Sequence, residues 1–216
     1  SYEEITRSKD ESIWADADIL FDAGGAYNPE EGRYDTNRSK SPLRKNKIPR
    51  SSASLLWYTY QEKAIRNVLT SLGYEDTEFY QTYFEDIWQY MGGHIDTNLL
   101  LPVDVIDSDV GKYLLVSKNS SGASKLIEGT RPPLHVHSDS SASTLSAYLK
   151  SFNPSWWGDL SPANQDSKFF EAVDVAVKLL ENDIEEAYWF QQGRQMTIDK
   201  AIETSKSDTP HVLVLD

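Results

Sequence analysis

An aromatic stripe in the segment 77–91 constrains the fold more than any other feature of the sequence. Phe79, Tyr83, Ile87 and Met91 recur at every fourth position. A second row, one residue further on, consists of Tyr80, Phe84 and Trp88. Residues four apart share one face of an α-helix, so the two rows form a single broad apolar surface. The spacing therefore predicts a helix over 77–91 whose aromatic face lies in the core.

The remaining patterns predict a mainly helical chain with a small sheet. Apolar residues at helical spacing, bounded by capping residues, predict further helices at 9–21, 52–72, 144–152, 161–192 and 195–204. Short apolar runs predict strands at 98–106, 112–117, 125–127 and 211–215. We therefore expect an α+β fold in one domain over 1–216, with a small antiparallel or mixed sheet.

Helix boundaries are indicated by residues that satisfy or end the backbone hydrogen bonding. Ser8 and Glu11 have the spacing of a capping box, and Ser161 precedes a proline at a first helical position. The serines at 51–54 offer N-caps for the second helix, which Gly73 is expected to end. Gly193 is expected to end the helix that begins after Ser161.

A basic segment interrupts an otherwise acidic chain. It carries seven positive residues against one acid, whereas the whole chain has a net charge of −13. The seven residues are Arg33, Arg38, Lys40, Arg44, Lys45, Lys47 and Arg50. The surrounding segment 22–52 is polar and rich in Gly and Pro, which predicts a long irregular arm. Such an arm suits an acidic protein surface as its partner, on another copy of the chain or on a different subunit.

Composition excludes several classes of protein and site. The chain has no Cys, which excludes disulfides, thiolate nucleophiles and Cys-ligated zinc. No signal peptide or membrane-spanning segment is visible, so a soluble protein of cytoplasmic or virion origin is expected. The net negative charge disfavours nucleic acid as a partner, and the basic segment has no interleaved aromatic residues on which bases could stack.

The segment Leu134–Asp139 contains the sharpest local motif. Its residues His135, His137 and Asp139 resemble the opening metal motif of the polymerase-and-histidinol-phosphatase family. With Gly129, the two histidines also resemble the first half of a cupin metal motif, and His137, Asp139 and His211 match a two-histidine, one-carboxylate iron site. The sequence lacks the further ligands of the first two families. A divalent-metal site at His135, His137 and Asp139 remains the alternative to a protein without cofactors.

Two acidic or glycine-rich motifs are assigned to turns. Asp104, Asp107 and Asp109 precede Gly111, but an EF-hand loop needs its glycine at the sixth position, so a charged turn is expected. The Gly24-Gly25 pair lacks the Gly-Lys-Ser/Thr continuation of a phosphate loop, and it is expected to end the first helix.

Two functions are consistent with these features. The favoured one is a non-catalytic structural or assembly subunit of a larger protein particle, including viral particles, which forms a homo- or hetero-oligomer through the basic arm. The alternative is a metal-dependent enzyme that uses His135, His137 and Asp139. The favoured hypothesis predicts no enzymatic activity.

Overall fold

The chain forms five helices and five short strands within the described residues of a computed structural model. The described residues are 5–8, 10–35, 42–107, 117–118, 124–125, 149, 151–154 and 158–205. The helices are α1 (Glu11–Ala15), α2 (Ser52–Ser71), α3 (Glu78–Ile95), α4 (Leu101–Asp107) and α5 (Pro162–Ser205). The strands are β1 (Leu20–Phe21), β2 (Tyr27–Asn28), β3 (Arg33–Tyr34), β4 (Ser117–Lys118) and β5 (Ser124–Lys125). The prediction of a mainly helical α+β fold with a small mixed sheet is confirmed for these residues.

The chain divides into two units. The first consists of Ser1–Gln61 and Asp96–Val173, and the second of Glu62–Ile95 and Asp174–Asp216. No described helix combines the length and the apolar character that a bilayer span requires.

A three-stranded sheet organises the N-terminal part of the first unit. Its strand order is β1-β3-β2, with β1 parallel and β2 antiparallel to β3. Phe21 and Tyr27 both align with Tyr34, whose side chain is fully buried. Gly32 precedes β3 with a φ of 67°, and a Cβ there would lie 2.1 Å from the Asp18 carbonyl oxygen. The close passage of these two segments therefore requires glycine at position 32.

The segment 22–52 is more ordered than the sequence predicts. It contains β2, β3 and a 3-10 turn at Pro29–Glu31, and Leu43 pairs with Pro49 across a reverse turn. Ile48 within that turn is buried. Tyr34 and Ile48 therefore give the described parts of the segment apolar anchors among polar neighbours, while the irregular arm over 22–52 as a whole stays a prediction.

Helices α2 and α3 agree with the sequence prediction. Ser51 caps α2 by accepting a hydrogen bond from the Ser54 amide at 3.3 Å, and Gly73 follows the helix with a φ of 80°. In α3 the first aromatic row is anchored by Phe79, and the Tyr188 ring of α5 packs edge-on against it at 5.4 Å between centroids. The buried residues of α3 include Phe79, Tyr80, Phe84, Ile87, Met91 and Ile95. The predicted core helix is thus confirmed, and it extends to Ile95.

The predicted strand at 98–106 is wrong. Asp96–Leu100 forms a π-helical turn and α4 follows it directly. A continuous apolar run fits a buried helix as well as a strand, since periodicity alone does not separate them. Pro102 has no backbone N–H, and the helix tolerates it because it lies just after the π-helical turn, where the regular i→i−4 hydrogen-bond pattern is already interrupted.

Two other helix predictions have wrong boundaries. Helix α1 is only five residues long, and Asp10 caps it by accepting from the Ser12 amide at 2.9 Å. Helix α5 begins after Ser161 as predicted, but it continues through Gly193 to Ser205 as one helix. A glycine inside a helix costs only about 1 kcal/mol, which the neighbouring turns of α5 offset. The predicted strand at 211–215 and most of the predicted helix at 144–152 lie outside the described residues.

Candidate active site

Two aspartates meet at one edge of the three-stranded sheet. Asp22 directly follows β1, and Asp35 directly follows β3. Because β1 and β3 are parallel, their carboxyl ends lie at the same edge. The Asp22 amide continues the pairing by donating to the Tyr34 carbonyl at 3.3 Å. Ligand sites in open sheets with parallel strands form at the carboxyl ends of those strands, and both aspartates occupy that position.

The backbone around these aspartates is tightly constrained. Asp22 has a φ of 56°, in the left-handed region that only Gly, Asn and Asp adopt readily. Gly24 and Gly25 follow with φ values of 86° and 65°. The Gly25 amide donates to Asp35 Oδ2 at 2.7 Å, and the Asp35 amide donates to the Ala26 carbonyl at 2.9 Å. Unusual backbone angles of this kind concentrate at functional sites.

A third aspartate, at the end of α4, adds to the negative charge. Desolvation raises the pKa of Asp22 above its ordinary value, and the charges of Asp35 and Asp107 raise it further. Asp22 is itself an exposed residue, so solvent screens part of this repulsion. We call Asp22, Asp35 and Asp107 the acidic cluster.

Carboxylate oxygens are the ligands that hard divalent cations such as Mg²⁺ and Mn²⁺ prefer. Among the described residues, no group of three or more His, Asp or Glu side chains is arranged to hold a metal ion unaided. Mg²⁺ commonly uses one or two carboxylates together with water and substrate phosphate oxygens. The donor chemistry and the mutual repulsion of the acidic cluster fit a cation of that kind.

A buried ion-pair network holds α4 and the turn at 42–50 together within the first unit. Arg44 binds Asp96 through two nitrogens, at 2.6 and 2.8 Å, and its Nε donates to Asp104. Asp104 is fully buried, and its other oxygen accepts from the amide of Ser51 at 2.8 Å and from its hydroxyl at 2.6 Å. Since Asp104 lies on α4 three residues before Asp107, this network fixes the helix that carries the third aspartate.

The same contacts keep the Arg44 guanidinium protonated although it is buried. Burial lowers the pKa of Arg44, but the hydrogen bonds and charges of Asp96 and Asp104 outweigh it, so the net shift is upward. Arg44 therefore has a structural role in the fold, whereas the sequence pattern predicts that it binds a partner. The basic character of the segment reflects in part the need to neutralise Asp96 and Asp104.

The other predicted partner-binding residues have different surroundings. Arg33 donates to the Ala17 carbonyl at 2.8 Å, and Arg50 pairs with Asp96 at 3.1 Å. Lys45 and Lys47 are exposed on the turn at 42–50. Arg38 and Lys40 lie outside the described residues, as do the predicted metal ligands His135, His137 and Asp139. Partner binding by the lysines and metal binding by the histidines stay predictions.

Sequence reasoning missed the acidic cluster. In the sequence Asp35 stands out only as the one acid of the basic segment, and the pattern around Asp107 predicts a charged turn. The strands that bring Asp22 and Asp35 together are two residues long, too short to leave an alternating pattern. The detectable signal was an aspartate beside a Gly-Gly pair, a combination that suits left-handed backbone.

Comparison with known proteins identifies the family. The family model MYG1_exonuc, described as "Uncharacterised protein family (UPF0160)", matches residues 1–216. Proteins named "MYG1 exonuclease" from Mus musculus and Homo sapiens are each 27% identical over 182 residues, which is 80% of this chain. The chain spans about two fifths of the length of these relatives, 39% and 40%. No solved structure matches the chain.

These matches overturn the favoured functional hypothesis from the sequence. Relatives named as exonucleases contradict a non-catalytic structural or virion subunit and the expected lack of enzymatic activity. They also contradict the expectation that nucleic acid is an unlikely partner, which rests on the net charge of the whole chain and on the lack of interleaved aromatic residues in the basic segment. The match over its full length shows that the chain belongs to the MYG1 exonuclease family, UPF0160.

Proposed function

We propose that this chain provides the acidic centre of a metal-dependent nuclease that hydrolyses phosphodiester bonds from a strand end. The observation that carries the proposal is the placement of Asp22 and Asp35 at the carboxyl ends of two parallel strands, within electrostatic reach of Asp107. Family membership supports it, since relatives named exonuclease match this chain over about two fifths of their own length.

The residues of the acidic cluster have separable roles in this proposal. Asp22 and Asp107 supply carboxylate oxygens to a divalent cation, and the Gly25 amide fixes the Asp35 carboxylate by donating to its Oδ2. A cation bound there supplies Lewis acidity and lowers the pKa of a coordinated water. Buried Arg44 and Asp104 hold α4 in place, so they act as positioning residues.

The charge balance of the chain is compatible with a nucleic-acid substrate. A carboxylate cluster alone repels the phosphate of a substrate, whereas a cation bound between the carboxylates and the phosphate attracts both groups. The proposal therefore requires that substrate binding near the cluster depends on the metal. The exposed Lys45 and Lys47 of the turn at 42–50 lie in the same unit as the cluster and supply further attraction.

A cleavage assay tests this function. The chain is incubated with an end-labelled single strand in Mg²⁺ or Mn²⁺, and shortened products are separated by electrophoresis. Asp22→Asn, Asp35→Asn and Asp107→Asn should each lower the cleavage rate at least about 100-fold, the loss expected when a group acting on transition-state charge is removed. Glu30→Gln is the matched control, because Glu30 is an exposed acid of the same sheet region and loses the same charge. Cleavage that survives all three substitutions contradicts the proposal.

The predicted ligands His135 and His137 can be tested in the same assay. His135→Ala should leave the rate unchanged if the acidic cluster alone holds the metal. A loss on His135→Ala with full activity in the aspartate variants would instead assign the metal centre to the segment 134–139, as the sequence alternative predicts.

A further inference from the structure

An exposed tyrosine of α2 is paired with an arginine near the acidic cluster. Tyr58 is 62% exposed, and the Arg50 guanidinium lies 5.3 Å from the centre of its ring. Large aromatic residues are usually buried, and an exposed ring held against a cation is a common element of ligand-binding surfaces.

Arg50 is fixed in this position from its other side. Its Nη1 pairs with Asp96 at 3.1 Å, and its backbone amide donates to the Pro42 carbonyl at 3.0 Å. The guanidinium is therefore held by a carboxylate while it lies over the Tyr58 ring. A preorganised pair loses little side-chain entropy when a ligand binds.

A second ring extends the same surface toward the sheet. Desolvation raises the pKa of Tyr27, with further increases from Tyr34 and Tyr58, while Arg50 and a hydrogen bond with Thr59 lower it. These effects place Tyr27, Tyr58 and Arg50 in one patch. Tyr27 also packs edge-on against buried Tyr34, with ring centroids 6.2 Å apart.

This patch borders the acidic cluster. Tyr27 is the register partner of Tyr34 on β3, and Asp35 is the next residue along the chain. The Asp35 amide bonds to the carbonyl of Ala26, the residue before Tyr27. The backbones of Tyr27 and Asp35 are therefore neighbours at the carboxyl end of β3.

We propose that Tyr27, Tyr58 and Arg50 form a stacking platform for a base of single-stranded nucleic acid next to the acidic cluster. The inference rests on the proposed function and names the substrate class of that site. A base stacks on the solvent-facing side of the Tyr58 ring, and the exposed Lys45 and Lys47 attract the backbone phosphates.

The platform selects single strands over duplexes. In a duplex the faces of the bases are covered by their stacked neighbours, so an aromatic side chain reaches them only in a single strand or a frayed end. The basic segment has no interleaved aromatic residues of its own, and folding supplies the missing ring from α2. This is why the sequence alone argued against stacking.

Binding is measured by fluorescence anisotropy of the intact chain with a labelled single strand of about 12 nucleotides, within the usual site sizes. The strand carries phosphorothioate linkages, which resist hydrolysis, so binding is measured in Mg²⁺ without cleavage of the probe. Tyr58→Ala should weaken binding about 5- to 100-fold, the loss expected for one stacked base. Tyr58→Phe keeps the ring and should bind like the unmodified chain. A blunt duplex of the same sequence should bind more weakly and should not respond to Tyr58→Ala.

The chain offers a closely matched control. Tyr90 on α3 is 59% exposed, and the Arg194 guanidinium lies 5.4 Å from its ring centre. Tyr90→Ala removes the same kind of pair from the other unit, and it should leave affinity unchanged.

The outcomes separate this inference from the proposed function. If Tyr58→Ala binds normally while the chain still cleaves in Mg²⁺, the platform is wrong and the nuclease proposal stands. If the unmodified chain neither binds nor cleaves the strand, both are overturned. Equal losses in Tyr58→Ala and Tyr90→Ala would also contradict a specific platform.

Discussion

Asp22 combines two properties that a purely structural residue rarely has. Its backbone is left-handed, with a φ of 56°, and desolvation together with the charges of Asp35 and Asp107 raises the pKa of its carboxyl. Each property lowers the stability of the folded state, and both properties concentrate at functional sites in proteins. Asp22→Asn removes the charge but keeps a residue that tolerates this backbone angle.

Asp22→Asn should raise the free energy of unfolding at pH 7 in EDTA. Because the pKa of Asp22 is raised by folding, the ionised form destabilises the folded state at every pH above the raised value. The advantage of the variant should shrink as the pH falls through the window between the raised pKa and the ordinary one, where the folded carboxyl takes up its proton. Urea denaturation across this pH range measures it.

Glu30→Gln is the control for a general effect of net charge, since it removes one negative charge from an exposed residue. An Asp22→Asn variant no more stable than the Glu30→Gln variant at pH 7 would show that the acidic cluster is not under electrostatic strain.

Asp104→Ala should destabilise the protein by about 3–5 kcal/mol, the usual loss when one member of a buried ion pair is removed. Asp104 is fully buried and accepts from Arg44 and from both donors of Ser51. Guanidinium denaturation gives the difference in unfolding free energy. Glu171→Ala breaks the exposed pair with Lys168 and should cost less than about 1 kcal/mol. Equal effects of the two substitutions would contradict the buried network.

Among the secondary-structure elements, the sequence predicts those with strong amphipathic patterns. The wide stripe of α3 and the caps of α2 are local signals, and both helices were predicted correctly. The segment 98–106 has no such periodicity, because it is buried on most sides, and its helical form depends on tertiary contacts. The strands β1 and β3 are defined by pairing partners twelve or more residues apart, so the approach of Asp22 to Asp35 leaves no periodic pattern in the local sequence.

Two glycines should respond in opposite ways to alanine. Gly193 lies inside α5 with open space where a Cβ would go, so Gly193→Ala should stabilise the protein by about 0.5–1 kcal/mol. Gly32→Ala should destabilise it by more than about 1–2 kcal/mol, because its φ of 67° is left-handed and its Cβ would overlap the Asp18 carbonyl. Thermal denaturation of both variants gives the signs. A destabilising Gly193→Ala would indicate that α5 is not a continuous helix.

Across the whole molecule, net charge proved a poor guide to the partner. The chain carries −13, yet its relatives are named as exonucleases. Under the proposed function a substrate contacts only one patch, where the turn at 42–50 is basic and a divalent cation held by carboxylates would reverse the sign of the local charge. The net charge of the whole chain governs long-range repulsion, whereas the proposed chemistry depends on which aspartates the sheet brings together.

The most direct test is a Mn²⁺ titration of the intact chain, followed by electron paramagnetic resonance of the free ion. The acidic cluster predicts Mn²⁺ binding that Asp22→Asn, Asp35→Asn and Asp107→Asn each weaken at least about ten-fold, as expected for a site's ligands and their close supports. Glu30→Gln should bind as the unmodified chain does. Absence of Mn²⁺ binding at millimolar concentration, or binding that none of the three aspartate variants changes, would contradict the assignment of the cluster as the metal centre.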